Sequence, residues 1–214
     1  MVVTFPRIIL AEFNTHRMFS RNSASSRAIP FEKMVKSVEE NPFIPIAWQK
    51  NHKGMQGTEY FTDSENIKNC NYDWINASKD AIRRATALHN TGVTKQLCNR
   101  LLEPFMWHTV IVTATEWENF FALRCPQYVF KGRGESGEYD YVVRSKKDWI
   151  TNFKKERPTQ RIPDCNWLTL NKGQAEIHMM ALAEAMWDAS SSSQPKQLNS
   201  GDWHLPMIEI EEDE

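Results

Sequence analysis

The clearest periodicity in the chain begins at Trp74. From there Trp74, Ala77, Ala81, Ile82, Ala85 and Leu88 recur at three- and four-residue steps, and Gly92 stands where a helix C-cap would. The pattern predicts a helix of about five turns. Val93 to Glu103 repeats it, with Thr94 as N-cap, Leu97, Cys98, Leu101 and Leu102 on one face, and Pro104 as the stop. Residues 173–189 are helical by composition and run into the tract Ser190 to Ser193, and FEKMVKSVEENP, from Phe31, predicts a shorter helix. Strand signals are fewer. VVTFPRIILAEF (2–13) is rich in β-branched and aromatic residues, with Pro6 restricting a strand to an edge or a start. WHTVIVTAT (107–115) is β-branched through its centre, and Thr115 with Glu118 has capping-box spacing ahead of a helix in WENFFALR. Residues 14–30 read as a loop or short helix, and 43–66 as an irregular stretch punctuated by Pro and Gly.

Two segments stand apart from this pattern. Residues 125–172, between Arg124 and Gly173, carry a Gly-rich turn (KGRGESGEYD) and a cluster of Lys and Arg, and read as an excursion inserted into the fold. Residues 209–214 (EIEEDE) read as a solvated acidic tail. A chain of 214 residues is long enough for one substantial core, and a single domain over 1–214 is expected. With 26 Lys+Arg against 27 Asp+Glu there is no basic excess, which argues against a general nucleic-acid binder and makes any phosphate chemistry local. No apolar run reaches bilayer length, and MVVTFPRIIL lacks the features of a signal peptide, so no membrane association and a cytoplasmic location are expected.

Cys70, Cys98, Cys125 and Cys165 are far apart and form no CxxC, so free thiols are expected. With no HxxxH, and with His108, His178 and His204 each alone, no metal site is expected. GxSxG, GxxxxGK[ST] and GxGxxG are absent, and Gly132-Arg133-Gly134 reads as a turn. What remains is the stretch from His16 to Arg27. It gathers one imidazole, three guanidiniums (Arg17, Arg21, Arg27), four serines and Asn22 within twelve residues. Guanidiniums bind phosphate in bidentate fashion, and small hydroxyl residues let backbone N–H groups approach an anion. A solvated basic loop has the same composition, so composition leaves both readings open.

These residues resemble a known family, the flavin-dependent thymidylate synthases. The family signature runs Arg-His-Arg, three residues with Ser last, then Asn-Glu-x-Ser-x-Arg-Tyr. His16, Arg17, Ser20, Asn22, Ser25 and Arg27 match it. Three further blocks follow in order: GVTKQLCNRLLEP, TATEWENFFALR and GQAEIHMMALAEAM. The resemblance implies an α/β (α+β) fold, with helices packed around a small, mostly antiparallel sheet, assembled as a homotetramer with shared active sites. It implies methylation of dUMP to dTMP, with FAD as cofactor and NADPH and methylenetetrahydrofolate as co-substrates.

Residue by residue, the resemblance puts Arg124 at the charge that develops on the pyrimidine. It puts Glu12, Thr15, Ser23, Ala24, Ser25, Ser26, Arg27 and Arg100 with Arg124 at the nucleotide, and His16, Arg17, Asn22, Thr113, Thr115 and Asn119 at the flavin. The departures are Thr15 for Arg, Ser23 for Glu, Ala28 for Tyr, and Thr113 and Thr115 for Asn and Arg. They keep two alternatives open: one-carbon transfer to another pyrimidine nucleotide such as dCMP or UMP, and a non-catalytic nucleotide-binding homologue. The 125–172 excursion follows the candidate catalytic arginine directly and is expected at the pocket mouth.

Overall fold

The β-branched run after Met106 becomes the centre of a three-stranded antiparallel sheet. Its strands are β1 (Val2–Pro6), β2 (Ser20–Ser23) and β3 (Trp107–Thr113), in the order β1-β3-β2. The register pairs Val3 with Val110, Phe5 with His108 and Ser20 with Thr113. Alternation then buries Val3, Phe5, His108, Val110 and Val112 on one face and exposes Val2, Thr4, Thr109 and Thr113 on the other. Pro6 ends an edge strand, where its missing N–H interrupts no ladder. The chain turns there through a 3₁₀ segment (Arg7–Ile9) into α1 (Leu10–Phe13), so the strand is shorter than the 2–13 run suggested. This is a computed structural model, and it describes residues 1–54, 57–134, 137–194 and 197–202; the acidic tail and His204 lie outside the described residues.

β2 corrects the loop or short helix expected over 14–30. All four of its residues are exposed, so no hydrophobic alternation marks it, and its backbone pairing with β3 is what makes it a strand. The buried face of the sheet is covered by α5 (Glu118–Arg124) and α8 (Ile177–Ser192), through Phe120, Phe121, Met179 and Met186, with Phe13 of α1 and Phe19 of the turn before β2 in the same core. A second core joins α2 (Phe31–Glu40), α3 (Ser64–Asn90) and α4 (Lys95–Arg100), through Phe31, Met34, Val38, Ala85, Cys98 and Leu102.

α3 has 27 residues and starts ten residues before Trp74, where an Asp63 side chain caps the Asn66 N–H at 2.8 Å. Its early turns are polar, so the apolar period missed them. Gly92 ends this helix with φ +86°, and the Val93 N–H reaches back to the Leu88 carbonyl as in a Schellman motif. Of the four residues placed on the inner face of α4 and the turn after it, Cys98 and Leu102 are buried while Leu97 and Leu101 are exposed. The Thr115–Glu118 capping box does not form; the Glu116 carboxylate accepts the Asn119 N–H instead, at 2.9 Å.

The excursion folds as a hairpin of β4 (Tyr128–Gly134) and β5 (Gly137–Val143), followed by α6 (Lys146–Glu156) and α7 (Trp167–Leu170) around a core of Tyr128, Phe130, Val143 and Phe153. It is tied to the main body by an Arg144–Glu118 ion pair, by Arg144 lying 4.8 Å over the Trp187 ring, and by the Trp187 indole donating to Asp148 at 2.6 Å. The architecture is therefore mixed α and β, with helices packed on small antiparallel sheets. Among the described residues no helix is long and apolar enough to cross a membrane, and all four cysteines are free.

α8 begins at a polar knot. One Glu176 oxygen accepts the N–H groups of His178 (2.8 Å) and Met179 (3.0 Å), and the other lies 2.6 Å from His178 Nδ1. His178 Nε2 accepts the Ile46 N–H at 3.1 Å, tying the irregular 43–66 stretch to the helix. Glu176→Ala deletes all three carboxylate contacts and leaves half-buried donors unmet. We expect it to lower unfolding free energy by about 2 kcal/mol, read from urea denaturation midpoints.

Candidate active site

α1 and the turn after it present Glu12 and His16 to the last turn of α5, which carries Arg124. The Arg124 Nε–H donates to His16 Nε2 at 3.0 Å, and Nη1 donates to Glu12 Oε1 at 2.9 Å. Arg21 fixes the turn from behind by donating to the His16 carbonyl at 2.9 Å and the Phe13 carbonyl at 3.4 Å. Phe19 and Phe120 form an aromatic wall, with His16 edge-on to Phe120 at 4.9 Å. These groups surround a cleft of about 300 Å³ lined by Thr15, His16, Arg17, Met18, Phe19, Glu116, Asn119, Phe120, Leu123 and Arg124.

The electrostatics suit the hydrogen bonds. Burial, with the Arg124 and Arg21 charges adding, holds the His16 imidazole below its ordinary pKa, so a neutral ring can accept from Arg124. Burial also raises Glu12, against the pull of Arg124. Arg124 thus stays half-buried between one carboxylate and one neutral acceptor, and among the described residues its Nη2 has no hydrogen-bond partner. A larger groove, of about 390 Å³ between β1 and α8, is lined by Met, Val, Leu, Ala, Thr and Ser and carries no titratable side chain. Of these two, the Arg124 cleft is the one that carries titratable groups.

Thr15, His16, Arg17, Asn119 and Arg124 are brought together, with Glu12 reaching Arg124 from the side. The remaining residues singled out from the sequence are not at this cleft. Ala24 and Ser26 line a separate cavity of about 210 Å³. Ser25 accepts the Arg27 N–H at 3.2 Å, and Arg27 and Arg100 are exposed. The buried Asn99 holds this loop to α4 by donating to the Ser26 and Ile29 carbonyls at 2.9 and 3.2 Å. Asn22 and Ser23 lie on β2, Thr113 ends β3 and Thr115 follows it, all exposed.

The excursion does not reach the cleft mouth among the described residues; it grips the first turn of α5 through Glu118. Sequence reasoning missed Met18, Phe19, Glu116, Phe120 and Leu123 in the lining. Glu116 was legible as an acid three residues before Asn119, at capping distance. Among the described residues no group of three or more His, Cys, Asp or Glu side chains could hold a metal ion.

No protein-family model matches the chain, and no curated protein matches its sequence. The fold, however, has a solved counterpart. The chain superposes on the UMP/dUMP methylase PolB from Streptomyces cacaoi, bound with 5-Br dUMP, with a TM-score of 0.53 at 12% identity over 89% of its length. It spans 64% of that methylase. A second structure of the same methylase, bound with 5-Br UMP, aligns over 73% of this chain and 68% of its own, with a TM-score of 0.44 and 15% identity.

Proposed function

We propose that this protein transfers a one-carbon unit to C5 of a pyrimidine nucleotide of the UMP/dUMP type, with a flavin as redox cofactor. One observation carries the reading: Arg124, which the resemblance assigns to the chemistry, lines the same cleft as His16, Arg17 and Asn119, which it assigns to the flavin. The fold shared with a UMP/dUMP methylase supports the substrate class.

Making C5 nucleophilic puts negative charge on the pyrimidine ring, and a fixed cation shielded from water stabilises that charge without reorganising. Arg124 is such a cation, oriented at Nε by His16 and at Nη1 by Glu12. A cysteine adding to C6 is the other way to activate the ring. The adjacent Cys125 does not serve it, since it is 2% exposed and burial pushes its pKa up to about 12. None of the other cysteines lines the cleft. The donor set fits a flavin: Arg17 for its phosphates, and His16 and Asn119 for polar edges. When bound, FAD supplies hydride equivalents, with NADPH and methylenetetrahydrofolate as co-substrates.

Ser25, Arg27 and Arg100 are the proposed nucleotide-phosphate contacts, and they do not share the Arg124 cleft within one chain. The reading therefore includes a homotetramer in which one copy's loop completes another copy's cleft. The test has three parts. The protein should quench FAD fluorescence on titration. It should convert a member of a dUMP, UMP and dCMP panel when given methylenetetrahydrofolate and NADPH. It should also scatter light as an oligomer at micromolar concentration. Nucleotide binding with no flavin quenching would favour a non-catalytic homologue, and a monomer would remove the shared-site part of the reading.

A further inference from the structure

Arg7, Lys33 and His108 meet at the second cavity, about 210 Å³ in volume, which shares no residue with the Arg124 cleft. Arg7 leaves the end of β1, Lys33 stands on the first turn of α2 with Ser37 one turn on, and Ser26 comes from the loop that Asn99 fixes. Ile29, Met34, Met106 and Trp107 supply apolar walls.

The Arg7 guanidinium is the unusual group. Its side chain is 19% exposed, and among the described residues its carboxylate partner is Glu103 alone, through one long contact of 3.4 Å from Nη2, while Nη1 lies 3.0 Å from either nitrogen of the His108 ring. His108 is 7% exposed and sits beside a fixed cation, so it is neutral and adds no counter-charge. A largely buried guanidinium ordinarily finds a well-matched anion, because its desolvation is otherwise uncompensated. Across the cavity two cations, Arg7 and Lys33, face one carboxylate, Glu103, and the Ser26 and Ser37 hydroxyls add donors. The volume is below the roughly 300–1,000 Å³ of pockets that enclose drug-sized ligands, so the cavity suits one group of a molecule.

We infer that this cavity binds the oxyanion group, phosphate or carboxylate, of a small molecule, with Arg7 and Lys33 as its cations and Glu103 opposing it. Ala24 and Ser26, which the resemblance puts at the nucleotide, also line this cavity, but Arg7, Lys33 and Glu103 carry the inference, which does not rest on the pyrimidine reading. Calorimetric titration with inorganic phosphate and with acetate, at constant ionic strength maintained with chloride, tests it on the whole chain. Saturable binding of at least one anion is expected, and the tighter of the two identifies the group. Arg7→Gln should weaken it about tenfold or more, and Lys33→Gln several-fold. Glu103→Gln should tighten binding several-fold, a gain that a damaged fold does not produce. Absence of saturation by either anion at millimolar concentration overturns the inference. So does Arg7→Gln binding like wild type, or, should that variant not fold, Lys33→Gln unchanged together with Glu103→Gln no tighter.

Discussion

Replacing Arg124 by lysine is expected to lower turnover about a hundredfold or more while nucleotide affinity changes only a few-fold, because one preorganised donor aimed at developing charge is typically worth that much in rate. Arginine meets Glu12 and His16 through different nitrogens of one planar group, at 2.9 and 3.0 Å. Lysine keeps the positive charge and loses that geometry, so its ammonium is free to settle against Glu12 alone. Interactions made only in the transition state appear in kcat, whereas those made throughout appear in KM. Arg27→Ala and Arg100→Ala should therefore weaken nucleotide binding first, since phosphate contacts are the same in ground and transition states. The measurement is kcat and Kd for all three variants, with FAD titration and circular dichroism as controls for the cleft and the fold. An Arg124→Lys protein that binds FAD and turns over within about threefold of wild type would sink the assignment, since that corresponds to under about 1 kcal/mol.

The parts of this architecture that announce themselves in the sequence are those whose side chains alternate or recur. β3 is legible because Val110 and Val112 point into one core, and α8 because its buried residues include Met179, Met180, Leu182, Ala183 and Met186. β2 is illegible for the opposite reason: its four residues are polar and exposed, and only a backbone ladder to β3 defines them. The early turns of α3 escaped because a capping aspartate holds them, and no apolar stripe runs through them. At the cleft, Arg124 and His16 are 108 residues apart, so neither spacing nor composition could join them. The collinear resemblance put Arg124 at the pyrimidine and His16 at the flavin, and the structure brings these two side chains within hydrogen-bonding distance. Arg7 and His108, 101 residues apart, belong to no motif. Their meeting follows from the β1–β3 register, which pairs Phe5 with His108.

That pairing makes the second large expected effect an acid-induced loss of stability. Burial first, and the Arg7 charge second, push the His108 pKa down to about 4, while an unfolded-chain histidine titrates near 6.5. Between these values the unfolded state binds a proton that the folded state refuses. Stability must therefore fall as pH drops from about 6.5 to about 4, and this group contributes no slope above neutrality. A shift of this size is worth about 2–3 kcal/mol at pH 4.5, a large fraction of an ordinary domain's stability. His16 adds to the loss with the same sign, for the same reason of burial beside cations, whereas Glu12 and Glu184, both raised by burial, take up protons on folding and oppose it. The His108 share is isolated by comparison with His108→Gln, which keeps a polar partner for Arg7 and cannot titrate. Urea denaturation at pH 7.5 and 4.5 should show wild type losing about 2 kcal/mol more than the variant over that interval, whatever the variant's stability at neutral pH. Equal losses in the two proteins would mean that His108 carries its proton in the folded state. It would then be a second cation beside Arg7, adding to the positive charge at the second cavity, and the burial argument for a neutral imidazole would be wrong.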